Sequence, residues 1–189
     1  MVTINKYQTS IQASLGIRRA QEILGGNGAI EDFSIIPRLY RDAVVFESWE
    51  GSHNVLCLQA LRDMQRFSLH EPLFGTLGAM ADRVTRSELI GYQDVLLTTL
   101  EHARVRVERL LAGAQAYQQT HIRRAVDELA ALVQAICLLA EADWELMQGF
   151  DSDKPEALSF YVNQYLRTGY DPMDDAGYLE RVERLAAQL

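Results

Sequence analysis

The chain has 189 residues, of which 48% are hydrophobic, and a formal net charge of −8. This composition is typical of a folded chain with a sizeable apolar core, and it excludes a disordered or low-complexity protein. The sequence contains neither the roughly 18-residue apolar run of a membrane-spanning helix nor a secretory-signal pattern at its start, so we expect a cytoplasmic protein with no membrane partner.

The first predicted helix is marked by apolar residues that recur every four positions, at Tyr7, Ile11 and Leu15. It is predicted to end at the run Gly-Gly-Asn-Gly over 25–28, because glycine and asparagine accept the left-handed conformation that closes helices. A connecting loop follows, and a proline then predicts a short helix over 37–40.

The rest of the chain is also predicted to be helical. Ser52 is suited to cap the next helix. The further helices are predicted over 53–67, 72–84, 87–114, 119–147, 155–167 and 175–188. The turn between the two longest is predicted at 118–121. With no β-alternating run, the sequence predicts an all-α fold, an antiparallel helical bundle with an additional helical extension.

The charge changes near residue 70. Residues 1–68 hold seven basic and seven acidic residues, whereas residues 69–189 hold eleven basic and nineteen acidic residues. We therefore divide the chain into 1–69, which holds the informative motifs, and 70–189, an acidic helical extension. This acidic excess disfavours a nucleic-acid partner, because phosphate backbones are bound by basic footprints.

The strongest indication of chemistry is Trp-Glu-Gly-Ser at 49–52. Glu50 comes just before a predicted helix start, where free N–H groups attract an anion or the polar edge of a cofactor. Gly51 would let another molecule approach the backbone, and Trp49 offers a flat apolar wall. From these four residues alone, a carboxylate that merely complements the helix dipole is the simpler interpretation.

Three motifs that follow one another along the sequence favour a catalytic site over that simpler interpretation. They are Gln-Glu-Ile-Leu-Gly-Gly-Asn-Gly at 21–28, Pro-Arg-Leu-Tyr-Arg-Asp at 37–42 and the run at 49–52. In order and spacing they resemble the end of the catalytic fold of acyl-CoA dehydrogenases, over roughly residues 5–68. The long helical extension is most similar to that of larger bacterial members, which include an alkylation-response branch.

The resemblance implies an FAD-dependent enzyme of fatty acid metabolism that catalyses α,β-dehydrogenation of an acyl-CoA thioester. Glu50 would be the general base that removes the α-proton while the β-hydride passes to the flavin. Because that proton is only weakly acidic, the base must lie within contact distance of it in a dry pocket.

The resemblance also implies cofactor contacts and partners. The implied FAD-binding residues are Gly25, Gly26, Trp49, Gly51, Ser52 and Asn54, with the two glycines approaching the FAD of a neighbouring subunit. A homo-oligomer and an electron-accepting partner are therefore expected. The histidines and the two cysteines, Cys57 and Cys137, have no metal-ligand spacing, so we expect reduced thiols and no metal.

Enzymes of this family also need an amino-terminal helical domain and a middle β-domain. The resemblance therefore implies that the isolated chain is inactive and that catalysis belongs to a longer protein. The alternatives are a non-catalytic helical scaffold or interaction protein that retains family residues, and an alkylation-response-like relative.

Overall fold

A computed structural model describes residues 2–187. The chain is 81% helical, with no strand among these residues, which confirms the all-α fold class. Within residues 2–187 the α-helices are α1 (Val2–Ile23), α2 (Ile36–Ser48), α3 (His53–Phe67), α4 (His70–Asp82), α5 (Ile90–Ala112), α6 (Gln115–Met147), α7 (Lys154–Tyr165) and α8 (Tyr178–Ala186). Short 3-10 helices cover Gly25–Ala29, Ser87–Leu89 and Pro172–Asp174. In this part of the chain no helix is long and apolar enough to cross a membrane.

The described chain forms two compact units. The first unit contains residues 2–68 and 113–127, and the second contains residues 69–112 and 128–187. The beginning of α6 therefore belongs with the N-terminal helices, and its remainder belongs to the second unit. The division into a catalytic-fold part over 1–69 and an extension over 70–189 stays a prediction.

In the first unit, α1 turns a partly polar face inward. Its buried residues are Ile4, Tyr7, Ser10 and Ser14, whereas Leu15 from the predicted stripe is 47% exposed. Each buried serine hydroxyl donates to a backbone carbonyl within α1, from Ser10 to Tyr7 at 3.1 Å and from Ser14 to Ser10 at 3.3 Å. These bonds allow small polar residues to face the interior.

Helices α2 and α3 lie on either side of residues 49–52. The first runs to Ser48 rather than ending at residue 40 as predicted, because residues 41–48 contain no glycine or proline to stop it. The bounds predicted for α3 are confirmed, and its C-terminal end is closed by Ser68 in the left-handed conformation, with φ 51°. Residues three and four apart on α3 are buried: Leu56, Cys57, Ala60, Leu61 and Met64.

The second unit buries the apolar stripes of the longer helices. The buried residues of α5 are Leu96, Leu100, Ala103, Val107 and Leu110. The predicted turn at 118–121 was wrong, since the chain leaves α5 and enters α6 at residues 113–114. Gly113 breaks the helix there, whereas the polar residues over 118–121 are compatible with a helical backbone.

A buried carboxylate accepts hydrogen bonds from the segment between α4 and α5. Asp143 Oδ1 accepts hydrogen bonds from the backbone N–H groups of Thr85, at 2.9 Å, and Arg86, at 3.0 Å. The Arg86 guanidinium in turn donates to the carbonyl of Leu146 at 2.9 Å. Asp143 is 7% exposed, so it satisfies two backbone donors that would otherwise lack a partner close to the core.

Candidate functional site

Residues 49–52, which we call the Glu50 loop, join the end of α2 to the start of α3. Both central residues have left-handed backbones, with φ 60° at Glu50 and 118° at Gly51. Such a φ is unusual for a residue with a side chain, and it needs support from surrounding contacts. A Cβ atom at Gly51 would lie 3.2 Å from Val55 Cγ1, so glycine suits both the conformation and the space.

The predicted contact residues of the Glu50 loop face outward. Trp49 is 60% exposed and stacks against Phe46, with ring centroids 5.8 Å apart. Glu50, Ser52 and Asn54 are exposed as well. These side chains are therefore accessible to another molecule, but the chain itself does not enclose Glu50 in a dry pocket.

The start of α3 is available for a polar ligand. Ser52 occupies the cap position with an extended backbone, but its side chain makes no capping hydrogen bond. There is no acidic residue in the first turn of the helix. The positive end of the helix dipole and the Ser52 hydroxyl can therefore interact with an electron-rich group.

Contacts that the sequence did not predict hold the inner side of the Glu50 loop. Lys6 Nζ donates a hydrogen bond to the Gly51 carbonyl at 3.2 Å. Across the loop, Glu47 Oε2 lies 3.3 Å from His53 Nε2, as an ion pair when His53 is protonated. Lys6 lies 45 positions from Gly51, and the other pair straddles a break between helices, so no helical spacing predicts either contact.

Tyr7 lies beside this loop in a small polar cluster. Its hydroxyl donates to Asp127 Oδ1 at 2.6 Å and accepts from Arg123 Nε at 3.1 Å. Burial, together with the hydrogen bond to Asp127, raises the pKa of Tyr7 to about 12. Burial likewise raises the pKa of Cys57 to about 11, so its thiol stays protonated and is a poor nucleophile at neutral pH.

A cavity of about 180 Å³ opens next to His53. It is lined by Ile11, Ser14, Leu15, Arg18, Tyr40, Glu47, His53 and Arg123. Glu50 does not line it, so this cavity does not provide the enclosure that the proposed base would need. Among residues 2–187, no three His, Cys, Asp or Glu side chains are grouped to hold a metal ion.

The predicted glycine turn lies away from the Glu50 loop. Gly25, with φ 60°, and Gly26 are exposed, and a Cβ at either would meet nothing within 4 Å. Lys6, which contacts the Glu50 loop, is 17 residues from Ile23 on α1, which corresponds to about 26 Å along the helix axis. The structure therefore does not bring the two glycines and Glu50 into one site within one chain.

Gly28 has a structural role that the sequence did not reveal. A Cβ at this position would lie 2.4 Å from the carbonyl oxygen of Gln21. The backbone after α1 can therefore fold back onto the helix only with glycine here. Of the three glycines in the turn, Gly28 is buried and packed, and the two predicted cofactor contacts are open.

Comparison with known proteins agrees with the resemblance. Residues 2–65 match the family described as "Acyl-CoA dehydrogenase, C-terminal domain". A protein of Escherichia coli (strain K12) named "Putative acyl-CoA dehydrogenase AidB" is 46% identical over 50 residues, which are 26% of this chain and 9% of that relative. No solved structure matches the chain. The resemblance to acyl-CoA dehydrogenases is thus confirmed for the N-terminal third, and the match spans less than a tenth of the relative.

Proposed function

We propose that this chain is the C-terminal part of an FAD-dependent acyl-CoA dehydrogenase, in which Glu50 is the general base. The observation that carries this proposal is the family match over residues 2–65, which includes the Glu50 loop. The exposed carboxylate at the uncapped start of α3 supports it, because a base that serves a bound substrate must be accessible from outside the chain.

In the proposed reaction, Glu50 removes one proton from the carbon next to the thioester carbonyl of an acyl-CoA. The electron pair left by that proton forms the α,β double bond as a hydride leaves the β-carbon. FAD, when bound, supplies the hydride acceptor. Glu50 keeps the proton on a carboxylate oxygen until it passes to solvent.

The side chains around the Glu50 loop are of types that can contact a flavin, and they are accessible to one. Trp49 offers an exposed aromatic face, and Ser52 and Asn54 offer polar side chains beside the positive end of α3. The open space around Gly25 and Gly26 would allow close approach of a cofactor held by a neighbouring subunit. These residues would hold FAD, with Gly51 allowing approach to the backbone of the Glu50 loop.

Catalysis belongs, in this proposal, to a longer protein. A base that removes a weakly acidic proton works best where water is excluded, and Glu50 is exposed in this chain. The relative is about eleven times longer than the stretch that matches it, since that stretch is 9% of its length. We therefore expect the isolated chain to be inactive and the enclosing surfaces to come from other domains.

Exposed apolar side chains support an oligomeric protein. Near the glycine turn, Ile23 is 85% and Phe33 66% exposed. Further along, Val45, Phe46 and Trp49 are all more than half exposed. Apolar surface of this extent is usually covered by a partner. We propose that a second copy covers the surface near the glycine turn, which would place Gly25 and Gly26 against its cofactor.

The proposed reaction is tested by flavin reduction in the longer flavoprotein that carries this segment. Glu50→Gln keeps the size of the side chain and removes the base, so reduction by acyl-CoA should slow by about 10²–10⁴-fold while FAD stays bound. Glu108→Gln, at an exposed position in the second unit, is the control and should reduce at the normal rate. Normal reduction in the Glu50 variant would refute the proposal, and loss of FAD would make Glu50 a structural residue.

A further inference from the structure

The backbone of the Glu50 loop needs external support. Glu50 has a positive φ of 60° although it is not glycine, and Gly51 follows at 118°. A residue with a side chain keeps such a conformation when its surroundings over-determine it. The hydrogen bond from Lys6 to the Gly51 carbonyl supplies one such constraint at the centre of the loop, and the Glu47 carboxylate lies against His53 across its ends, without a hydrogen bond to His53 Nε2.

His53 is itself held by Tyr7. The two rings meet edge to face, with centroids 5.4 Å apart and planes at 90°. Tyr7 is 1% exposed, so its ring has little freedom to move away. Since Tyr7 directly follows Lys6 on α1, one turn of that helix supports both the centre of the Glu50 loop and the first residue of α3.

The hydroxyl of Tyr7 is fixed from α6. It donates to Asp127 and accepts from Arg123, whose guanidinium carbon also lies 5.9 Å from the centre of the Tyr7 ring. Both α6 residues belong to the same compact unit as the Glu50 loop. Both lie outside residues 2–65, the part of the chain that matches the family.

We propose that Asp127 and Arg123 of α6 are positioning residues for Glu50, acting through Tyr7, His53 and Glu47. The catalytic consequence rests on the proposed function, because positioning matters for catalysis only if Glu50 is the base. The structural claim stands separately: an α6 segment beyond the family match sets the conformation of the loop that carries Glu50. A displacement of 1 Å at a reacting group can cost roughly 10²-fold in rate.

The 189-residue chain suffices to test the structural claim. The amide of Trp49 bonds to the Val45 carbonyl and the amide of Leu56 to the Ser52 carbonyl, so these two amides report on the ends of the Glu50 loop. In Tyr7→Phe and Asp127→Ala, hydrogen exchange at both amides should be roughly two- to tenfold faster, as expected for loss of one supporting hydrogen bond. The double variant should exchange no faster than Tyr7→Phe alone, because Asp127 acts through the Tyr7 hydroxyl that this variant already lacks.

Asp143→Ala is the matched control for Asp127→Ala, since it removes a buried carboxylate and its two backbone hydrogen bonds in the second unit. It should lower the urea midpoint without faster exchange at Trp49 and Leu56. Unchanged exchange in both Tyr7→Phe and Asp127→Ala would overturn the inference. Equal acceleration by Asp143→Ala would also overturn it, because the loop would then respond to global stability.

A kinetic measurement separates this inference from the proposed function. In the longer flavoprotein, Tyr7→Phe should lower the rate of flavin reduction, with little change in KM or FAD content, because it moves the base and not the binding groups. If Glu50→Gln reduces flavin normally while Tyr7→Phe still loosens the loop, the function fails and the positioning stands. If Glu50→Gln is slow while exchange and reduction are normal in Tyr7→Phe, the positioning fails and the function stands.

Discussion

The hydroxyl of Tyr7 donates a 2.6 Å hydrogen bond to Asp127, which lies 120 positions further along the chain. This bond joins the second turn of α1 to the beginning of α6. A second contact, from Gln65 to Gln118 at 2.8 Å, joins α3 to the same part of α6. The beginning of α6 is thus an integral part of the unit that carries the Glu50 loop.

Replacing Tyr7 by phenylalanine should destabilise the protein by about 1 kcal/mol. The ring keeps its packing against His53, but the hydrogen bonds to Asp127 and Arg123 are lost. Urea unfolding measures the free energy of unfolding directly. Tyr40→Phe, at a 36% exposed position, is the control and should stay within about 0.5 kcal/mol of the unmodified chain. Equal stabilities of the Tyr7 variant and the unmodified chain would show that the bond contributes nothing.

The stabilising effect of Tyr7 should depend on pH in the alkaline range. Its pKa is raised to about 12, chiefly by burial and then by the bond to Asp127, so folding favours the neutral phenol. This contribution is complete below the unfolded pKa of about 10 and is lost as the pH rises toward 12. The stability difference between the unmodified chain and Tyr7→Phe should therefore shrink above about pH 10. Urea unfolding at a series of pH values tests this, and a constant or growing difference would contradict it.

The glycines of the 25–28 run should respond very differently to alanine. Gly28→Ala places a Cβ 2.4 Å from a backbone carbonyl oxygen, which cannot move as a flexible side chain could, so we expect a loss of about 1–3 kcal/mol. Gly26→Ala meets nothing within 4 Å and should be nearly neutral for stability. Thermal or urea unfolding of the two variants measures both effects, and similar stabilities would show that the backbone does not pack there as described.

Self-association should depend on the apolar surface near the glycine turn. Phe33 is 66% exposed, so Phe33→Asp should shift the chain toward monomer with little loss of folding stability. Met173, which is 93% exposed in the second unit, supplies the control, and Met173→Asp should leave the assembly unchanged. Sedimentation velocity at high protein concentration measures the oligomeric state. A strictly monomeric unmodified chain would contradict the proposed oligomer.

Much of the fold could be predicted because local signals were unambiguous. The bounds of α3 follow from Ser52 before the helix and from apolar residues four apart, namely Leu56, Ala60 and Met64. The length of α2 was underestimated, because Pro37 marks where a helix can start but says nothing about where it ends.

The sequence predicted the residues of the Trp-Glu-Gly-Ser motif but not the residues whose contacts support that motif. Trp-Glu-Gly-Ser is continuous in sequence, so it could be recognised. The pairing of Glu47 with His53 and the bond from Tyr7 to Asp127 depend on how separate helices pack, which no local spacing encodes. Glu47 lies outside the Trp-Glu-Gly-Ser run, so its contact with His53 could not be recognised from the motif.

The most direct test of Glu50 as the base is exchange of the α-proton of a bound acyl-CoA with solvent deuterium. The measurement uses the longer flavoprotein in D₂O, and mass spectrometry follows deuterium incorporation into the thioester. The unmodified enzyme should incorporate deuterium at the α-carbon, and Glu50→Gln should do so about 10²–10⁴-fold more slowly with FAD still bound. Exchange at the same rate in both proteins would contradict the account and assign the α-proton to another group.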